Sequence, residues 1–551
     1  MKRILLLAAL FAAVAASAQV PLGKGGKGGT LTGSVETNTI YYVEDDAIVG
    51  TSQQRDYEHS VGTHTYIKLD YTWKGLSVGA QADAYLPAMR GYDLFDYGKG
   101  EYEVMLGAAY IKWQDDRYSV MGGTVLDQFG SGLIFRSWED RALGFNNALL
   151  GGEFEYNFWD YAKVKVMGGK PRLYFDWTSS WIAGGDLSLS LADMCKMNSV
   201  ALSLEGSYVM RYQPWETLGW ARDFGLNTDL LNMYSARLNF DWNGLSLRGE
   251  YVDKSDDISR DVIEPARGNA WLAEVGYSYE GFSFQGTFRR LENMATYLTI
   301  DDAAIGPFTG GLGGGNVMNY MPAMTRQYTY MLANLNPYVV QPEGEIGAQA
   351  DFYYTLRSTK TRAKYWNFHL NFSTYYTLEN AKGNHDFLWR DINVDVERQW
   401  NRKFKTSLLY SHQESAIIHG APAIGEKFVS NIFVGDLTYK FDRKKSLRAE
   451  LQYLWSDDYE GDWVAALVEF NLAPKWSFFV SDMYNLEATT EGINSGTAKN
   501  HFYNAGASFT HKQTRVALSY GRNRAGFVCS GGVCRYQPAY TGLNFVLTSS
   551  F

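Results

Sequence analysis

Residues 540–551 read Tyr-Thr-Gly-Leu-Asn-Phe-Val-Leu-Thr-Ser-Ser-Phe. Leu543, Phe545 and Leu547 are apolar, whereas the positions between and around them carry mostly small or polar side chains. Successive side chains of a β-strand point to opposite faces of its sheet, so this segment has one apolar and one mostly polar face. The pattern suits a strand between lipid and an aqueous lumen. The last strand of a soluble β-protein would show the same pattern, and the rest of the chain decides between the two.

The same alternation recurs upstream in pairs of segments joined by short polar turns. Tyr234–Trp242 and Leu245–Tyr251 flank the dipeptide Asn243-Gly244, which is the turn chemistry of a β-hairpin. With a first strand at Thr30–Val43 and a last strand at the carboxyl end, eleven such hairpins predict about 24 strands, within a range of about 20–26. The turns lie at Lys74-Gly75, Gln114–Arg117, Asp160–Lys163, Cys195–Asn198, Asn243-Gly244, Glu280-Gly281, Ser358–Lys364, Asn401–Lys403, Asp442–Lys445, Ala473–Lys475 and His511–Thr514.

Connections at the opposite ends of the predicted strands are longer. The clearest are Glu44–Gly62, Pro87–Glu101, Phe129–Leu150, Gln213–Asn232, Glu292–Gly347 and Arg524–Pro538. Short turns at one end and long loops at the other are typical of outer-membrane barrels, whose turns lie in the periplasm. The sequence therefore predicts an all-β fold, a transmembrane antiparallel β-barrel with short periplasmic turns and long extracellular loops.

Composition agrees with this fold. The 551 residues include 39 Tyr, 30 Phe and 16 Trp, which is more than a soluble core needs, whereas a barrel places aromatic side chains at both membrane interfaces. A β-propeller also contains many short strands, but the sequence shows no repeat of roughly forty residues. The formal net charge of -9 argues against nucleic acid as a partner. Outer-membrane lipids are the surroundings that we expect.

The sequence divides into three predicted regions. Residues 1–18 combine Lys2 and Arg3, an apolar run and Ala16-Ser17-Ala18, which is the pattern of a secretory signal peptide. Residues 19–29 are rich in glycine and are expected to be a flexible segment. Residues 30–551 are expected to form the barrel.

One face of the predicted strands carries polar and charged side chains of both signs. This mixture is expected of a hydrated inner wall whose charges pair across neighbouring strands, and it also suits a lining for polar solutes. On one strand the acidic side chains form a stripe that could favour cations, although a solvated wall explains it as well. The residues expected to line the lumen are Lys68, Asp70, Asp83, Arg237, Asp241, Arg248, Glu250, Asp391, Asp395, Glu397, Arg448 and Glu450.

No catalytic motif is recognisable in the sequence. It contains no Gly-x-Ser-x-Gly elbow and no His-Glu-x-x-His, and its eight histidines lack the spacing of metal ligands. We therefore expect no enzymatic activity, no cofactor and no metal site.

Two segments and the carboxyl end carry a resemblance to known proteins. A strand that ends on an aromatic residue such as Phe551 resembles the closing strand of bacterial outer-membrane barrels, which implies the barrel assembly machinery as a partner. The loop Phe129–Gly152 and the segment Cys529-Ser-Gly-Gly-Val-Cys-Arg535 resemble a family of large Bacteroidota outer-membrane barrels of unknown function. The resemblance implies the compartment, the bacterial outer membrane, and the fold. Within the loop, the charged cluster is Arg136, Glu139, Asp140 and Arg141.

Cys529 and Cys534 are separated by four residues that include two glycines. These glycines allow the bend that a disulfide needs, so we predict a disulfide in the last surface loop. A metal site with two thiolates would require two further ligands, and nothing nearby in the sequence supplies them. Cys195 has no neighbouring cysteine.

Three functions are compatible with these patterns. The first is a channel or uptake porin for polar solutes, in which Val317–Tyr338 of the loop Glu292–Gly347 folds inward, because its Met and Tyr residues are too apolar for water. The second is a structural subunit of a larger outer-membrane secretion or assembly complex, with the other subunits as partners. The third is uptake of carbohydrate or fatty ligands by the loop tryptophans Trp177, Trp181, Trp215 and Trp220.

Overall fold

The structure is a computed structural model of the chain. It describes residues 20–22, 28–48, 59–92, 103–173, 175–214, 229–257, 265–298, 317–359, 363–379, 383–418, 421–423, 425–457, 461–487, 499–530 and 533–551. The predicted signal peptide, residues 1–18, and most of the glycine-rich segment lie outside these residues. Val20 and Pro21 are described, and they lie in register with Leu31 and Thr30 at the start of the first strand.

Twenty-four antiparallel strands form the barrel, which confirms the predicted fold and strand number. Each strand pairs with the next, and β24 pairs with β1 to close the sheet. The strands are β1 (Thr30–Val43), β2 (Val61–Trp73), β3 (Leu76–Tyr85), β4 (Glu103–Gln114), β5 (Tyr118–Val125), β6 (Leu149–Phe158), β7 (Ala162–Leu173), β8 (Trp181–Ser190), β9 (Ala201–Tyr212), β10 (Leu230–Trp242), β11 (Leu245–Asp257), β12 (Ala266–Tyr279), β13 (Phe282–Glu292), β14 (Gly344–Arg357), β15 (Tyr365–Tyr376), β16 (Phe387–Gln399), β17 (Phe404–Ser415), β18 (Phe428–Lys440), β19 (Lys445–Trp455), β20 (Trp463–Leu472), β21 (Trp476–Asn485), β22 (His501–His511), β23 (Thr514–Asn523) and β24 (Tyr540–Ser550).

Local turn chemistry forms the hairpins. Asn243 and Gly244 join β10 to β11 with φ angles of 44° and 84°, so both residues have the positive φ of a tight hairpin turn. Trp242 and Leu245 consequently lie opposite each other as the first pair of the ladder. The connection from β8 to β9 differs, because a short helix at Leu191–Met194 begins at the capping residue Ser190. All eleven predicted hairpins are present.

The outer face of the barrel is apolar. On β17 and β19, Leu408 and Leu451 are each 63% exposed, whereas the neighbouring inward residues Ser411 and Gln452 are almost fully buried. Exposed aromatic side chains form a belt at the turn end of the barrel, as expected at a membrane interface. They include Trp73, Trp113, Trp159, Trp242, Tyr279, Trp400, Phe441 and Trp476. The described part of the chain contains no helix long and apolar enough to cross a membrane.

The long connections contain more regular structure than their sequence predicts. The loop after β5 begins at residue 126, three residues before the predicted start, and two pairs of two-residue strands lie within it. The segment between β23 and β24 was predicted only as a long connection, and within it Gly526–Ser530 and Val533–Gln537 form a short hairpin. Backbone pairing thus extends beyond the barrel wall into both loops.

Candidate functional site

Two loops contact the inner wall of the barrel. The first inner loop, residues 126–148, joins β5 to β6, and the second inner loop, residues 293–343, joins β13 to β14. The structure describes the second inner loop at residues 293–298 and 317–343. Both loops enter from the end of the barrel opposite the short turns.

The first inner loop folds on itself before it reaches the wall. Its two short hairpins pair Gln128–Phe129 with Phe135–Arg136, and Glu139–Asp140 with Phe145–Asn146. The buried amide of Asn147 holds them together, since its Oδ1 accepts from the backbone N–H of Trp138 at 2.7 Å. The loop is therefore a compact unit with its own hydrogen bonds.

This loop also spans the lumen. At one end, Arg141 donates to Glu36 of β1 at 2.6 Å and to Gln81 of β3 at 3.0 Å. Near the other end, the backbone N–H of Ser131 donates to the carboxylate of Glu250 on β11 at 3.2 Å. Because β1 and β11 lie far apart around the barrel, a segment that binds both must cross its interior.

The second inner loop lies along the opposite part of the wall. Nη2 of Arg326 donates to Asp395 on β16 at 2.8 Å. The backbone N–H of Leu332 donates to Gln452 on β19 at 2.9 Å, and Gln413 of β17 donates to the carbonyl of Ala333 at 3.0 Å. The described half of this loop therefore folds inward, as its Met-rich and Tyr-rich composition predicts.

The two inner loops contact each other inside the barrel. The backbone N–H of Arg136 donates to the carbonyl of Met318, and that of Tyr320 donates to the carbonyl of Gly132, each at 2.9 Å. The Arg136 guanidinium lies 4.6 Å from the ring of Trp138 and 4.0 Å from that of Tyr320. Together the loops form one layer across the lumen.

Apolar side chains of this layer pack against the wall. One cluster combines Phe129 and Phe135 of the first loop and Met318 of the second with inward residues of the nine strands from β5 to β13. Another packs Leu332 and Leu335 against inward residues of β17 to β22. Burial raises the pKa of Tyr330 to about 12, so its phenol is uncharged there. These contacts hold the loops in place by apolar burial as well as hydrogen bonds.

Several residues predicted to line the lumen contact the inner loops or pair beneath them. Asp83 binds Arg172 at 2.9 Å, and both side chains are buried. Arg237 binds Asp186 and Glu205 and lies against Gly130 of the first loop. Asp391 accepts hydrogen bonds from Ser373 and Asn393. The remaining pairs are Arg448 with Asp436 and Glu450, and Glu397 with Lys405.

Other predicted lining residues lie closer to the turn end and are half-buried or exposed. Lys68 lies 3.4 Å from Asp70, and Arg248 lies 3.4 Å from Asp241. The side chains of Arg248 and Asp241 are 46% and 45% exposed. These residues pair along the inner face, while a hydrated lining and a role in transport stay predictions.

The predicted charged cluster of the first inner loop separates into different environments. Arg141 and Glu139 face β1 and β3, where Glu139 accepts from Gln81 at 2.9 Å. Asp140 instead accepts from the backbone N–H of Leu143 within the loop. Arg136 contacts aromatic rings. Only part of this cluster therefore contacts the wall.

Cys529 and Cys534 lie opposite each other in the register of the short hairpin after β23. Their side chains lie outside the described part of the structure, so the disulfide stays a prediction. Cys195 is exposed and unpaired within the described residues. Trp215 and Trp220 also lie outside the described ranges. No group of three His, Cys, Asp or Glu residues in the described chain is arranged to hold a metal ion.

Buried ion pairs beyond the named lumen-lining residues are also central to this site. Arg211 and Lys254 both pair with Asp257, and Arg289 pairs with Glu345 at 2.6 Å, all of them buried. Arg326, the partner of Asp395, lies in a loop where alternation gives no signal. The sequence did not predict that the first inner loop folds inward. Its run Leu-Ile-Phe at 133–135 is nevertheless as apolar as Val317–Tyr338, for which an inward fold was predicted.

The closed barrel, its apolar outer face and its polar inner face are the features of an outer-membrane β-barrel. The sequence matches one family over residues 1–551, which is described as a family of unknown function, DUF6029. The chain belongs to DUF6029. This match confirms that the chain is in a family of unknown function, as its loop and cysteine segment indicate, while the phylum stays an expectation. A comparison with curated proteins finds no match.

Among solved structures, this DUF6029 barrel is similar to the translocation pore of the P pilus usher PapC, with 11% identity, a TM-score of 0.43, and coverage of 95% of this chain and 99% of that chain. The siderophore receptor PirA from Pseudomonas aeruginosa has 10% identity, a TM-score of 0.41 and coverages of 95% and 80%. A BenF-like porin from Pseudomonas fluorescens Pf-5 has 10% identity, a TM-score of 0.37 and coverages of 77% and 97%. These comparisons concern the fold alone.

Proposed function

We propose that this DUF6029 barrel is an uptake channel for small polar solutes whose inner loops restrict the size of what passes. The observation that carries the proposal is the exposed, charged inner wall at the turn end. There, Arg248, Asp241 and Lys68 remain exposed on the inward face below the loop layer. A wall of paired charges that is open to water suits the passage of polar molecules and requires neither an enzymatic step nor a cofactor.

The loop layer supplies the restriction in this proposal. Its contacts reach β1, β3 and β11 through the first loop and β16, β17 and β19 through the second. Loops held by so many wall contacts narrow the space between them and the remaining wall. Selection by size is the expected consequence.

Swelling of proteoliposomes in arabinose, glucose and raffinose tests this function. We expect the swelling rate to fall as the sugar becomes larger, with arabinose fastest. Folding of the barrel in the vesicles is confirmed by its heat-modifiable electrophoretic mobility. If a folded barrel admits none of the three sugars, the channel proposal is wrong.

A second candidate is a structural subunit of a larger outer-membrane complex. The apolar clusters between loops and wall favour it, because they fill part of the interior with a packed core. Purification from native membranes in mild detergent tests it. Repeated recovery of the same additional outer-membrane subunits would support this role, whereas recovery of the barrel alone in every preparation would contradict it.

A further inference from the structure

A cavity of about 300 Å³ lies on the inner face of the seam where β24 meets β1. Asn544 of β24, Asn38 of β1 and His64 of β2 line its wall. These residues are close because Asn544 is in register with Ile40, and Asn38 is in register with His64. The volume is at the lower end of the range of small-molecule sites.

Three loops cover this seam cavity, and each contributes one arginine. Arg90 belongs to the loop after β3, Arg141 to the first inner loop and Arg535 to the hairpin before β24. The cavity also contains the carboxylate of Glu36. Its lining therefore carries more positive than negative side chains.

Arg141 already binds two of the acidic groups near the cavity. Its Nη1 lies 2.6 Å from Glu36, and its Nε lies 3.6 Å from Glu139. Arg535 differs, since it donates to the carbonyl of Gly91 at 3.0 Å and to the amide oxygen of Gln537 at 2.8 Å. Among the described residues, no carboxylate lies within ion-pair distance of Arg535.

Tyr92 gives Arg535 an aromatic contact but no compensating charge. The guanidinium lies 4.0 Å from the ring of Tyr92, and burial raises the pKa of this phenol. Tyr92 is therefore neutral at physiological pH. The positive charge of Arg535 is held in place by neutral groups and is available to an anion.

Residues that line the cavity carry buried polar atoms that lack partners within the described structure. They are Nδ1 of His64, Nε of Arg535 and the side-chain oxygens of Asn38 and Asn544. His64 is only 2% exposed, and its Nε2 accepts from the backbone N–H of Met89 at 2.9 Å. In the neutral ring, Nδ1 therefore carries the proton and is a donor. Buried polar groups without partners are costly, so a ligand that binds them gains affinity.

We propose that the seam cavity binds a small hydroxylated carboxylate, of the sugar-acid class. Its carboxylate accepts from Arg535 and His64, and its hydroxyl groups donate to the oxygens of Asn38 and Asn544. The inference names a solute class for the channel and so rests on the proposed function. A neutral sugar offers hydroxyl groups but no partner for Arg535, and it binds less tightly.

Isothermal titration calorimetry of the full chain in detergent tests the site, with gluconate and glucose as the two probes. We expect gluconate to bind about tenfold or more tightly than glucose, because only gluconate forms charge-assisted hydrogen bonds with Arg535. Arg535→Gln is expected to remove this preference. Arg443→Gln, which changes an exposed arginine in the turn between β18 and β19, is the matched control and leaves binding unchanged.

Asn544→Asp provides a second variant of nearly the same shape, should Arg535→Gln not fold. It places a carboxylate in the cavity and is expected to weaken gluconate binding while glucose binding changes little. Equal binding of gluconate and glucose by the wild type, or unchanged gluconate binding by either folded variant, would overturn the site. If proteoliposomes swell in sugars but the barrel does not bind gluconate, the site is rejected and the channel is retained. If the barrel binds gluconate but no sugar causes swelling, the channel is rejected and the site is retained.

Discussion

The ring of Phe551 lies over Gly33 at the barrel seam. The two residues exchange backbone hydrogen bonds, with the N–H of Phe551 bound to the carbonyl of Gly33 at 2.9 Å and the reverse bond at 3.0 Å. A Cβ atom added at Gly33 would lie 2.4 Å from Cζ of Phe551 and 2.9 Å from Cδ2 of Leu69. The absence of a side chain at position 33 therefore leaves the space that the ring of Phe551 occupies against β1.

Gly33→Val is expected to weaken closure of the barrel. The added methyl groups displace the Phe551 ring, and overpacking of this kind costs about 1–3 kcal/mol. The measurement is the folded fraction in outer membranes, read from heat-modifiable mobility. Gly249→Val on β11 is the control, because a Cβ there meets no atom within 4 Å. Equal folded fractions for both variants would show that the ring contact does not matter.

At the scale of the elements, Arg326 and Asp395 connect the second inner loop to β16. On β15, Nδ1 of His369 lies 3.1 Å from the same carboxylate, and Nε2 of this ring lies 2.8 Å from the carboxylate of Asp351. Asp395 therefore connects Arg326 of the loop to a polar network of the wall that includes His369 and Asp351. Loss of its charge weakens the attachment of the loop without removing a wall strand.

Asp395→Asn is expected to loosen the second inner loop. Removal of a partly exposed ion pair costs about 1 kcal/mol, which raises the population of displaced loops roughly fivefold. The readout is vancomycin sensitivity of cells, which should increase. Asp253→Asn removes the ion pair of Asp253 with the exposed Arg267, which joins two wall strands rather than a loop and the wall, and serves as the control. Equal sensitivity of the two strains, at equal barrel levels, would contradict the attachment.

The hairpin between β23 and β24 is expected to contain the disulfide Cys529–Cys534. Its register places the two residues directly opposite each other, which is the arrangement that a cross-strand disulfide needs. Mass mapping after alkylation without reduction tests it, with exposed Cys195 as the internal control for reagent access. Labelling of Cys529 and Cys534 to the same extent as Cys195 would exclude the disulfide.

The sequence predicts elements well where their signal is local. Asn243-Gly244 and Glu280-Gly281 have the positive φ angles of tight turns, and these dipeptides are recognisable without any distant part of the sequence. Contacts of the first inner loop are different, since Arg141 is 105 residues from Glu36, and Ser131 is 119 residues from Glu250. Contacts between residues so far apart in the sequence leave no trace in the alternation of apolar and polar side chains. The wall half of the site and the inward fold of the second inner loop were therefore predictable, whereas the individual loop contacts, such as those of Arg326 and Arg535, were not.

At the scale of the whole molecule, the protein is a closed barrel with a polar inner wall and a layer of two loops across its lumen. Apolar packing holds most of that layer, and ion pairs such as Arg326–Asp395 attach its edges to the wall. Removal of one loop should therefore widen the passage without opening the barrel. If the barrel is a channel that its inner loops restrict, removal of a loop should increase the ion current through it.

Single-channel conductance in planar bilayers tests this prediction most directly. The wild-type barrel is compared with a variant that lacks Gly310–Ala333, and folding of both is checked by heat-modifiable mobility. We predict small, measurable conductance steps for the wild type and clearly larger steps for the deletion variant. Equal steps for the two proteins, or no conductance from either folded barrel, would contradict a channel restricted by its inner loops.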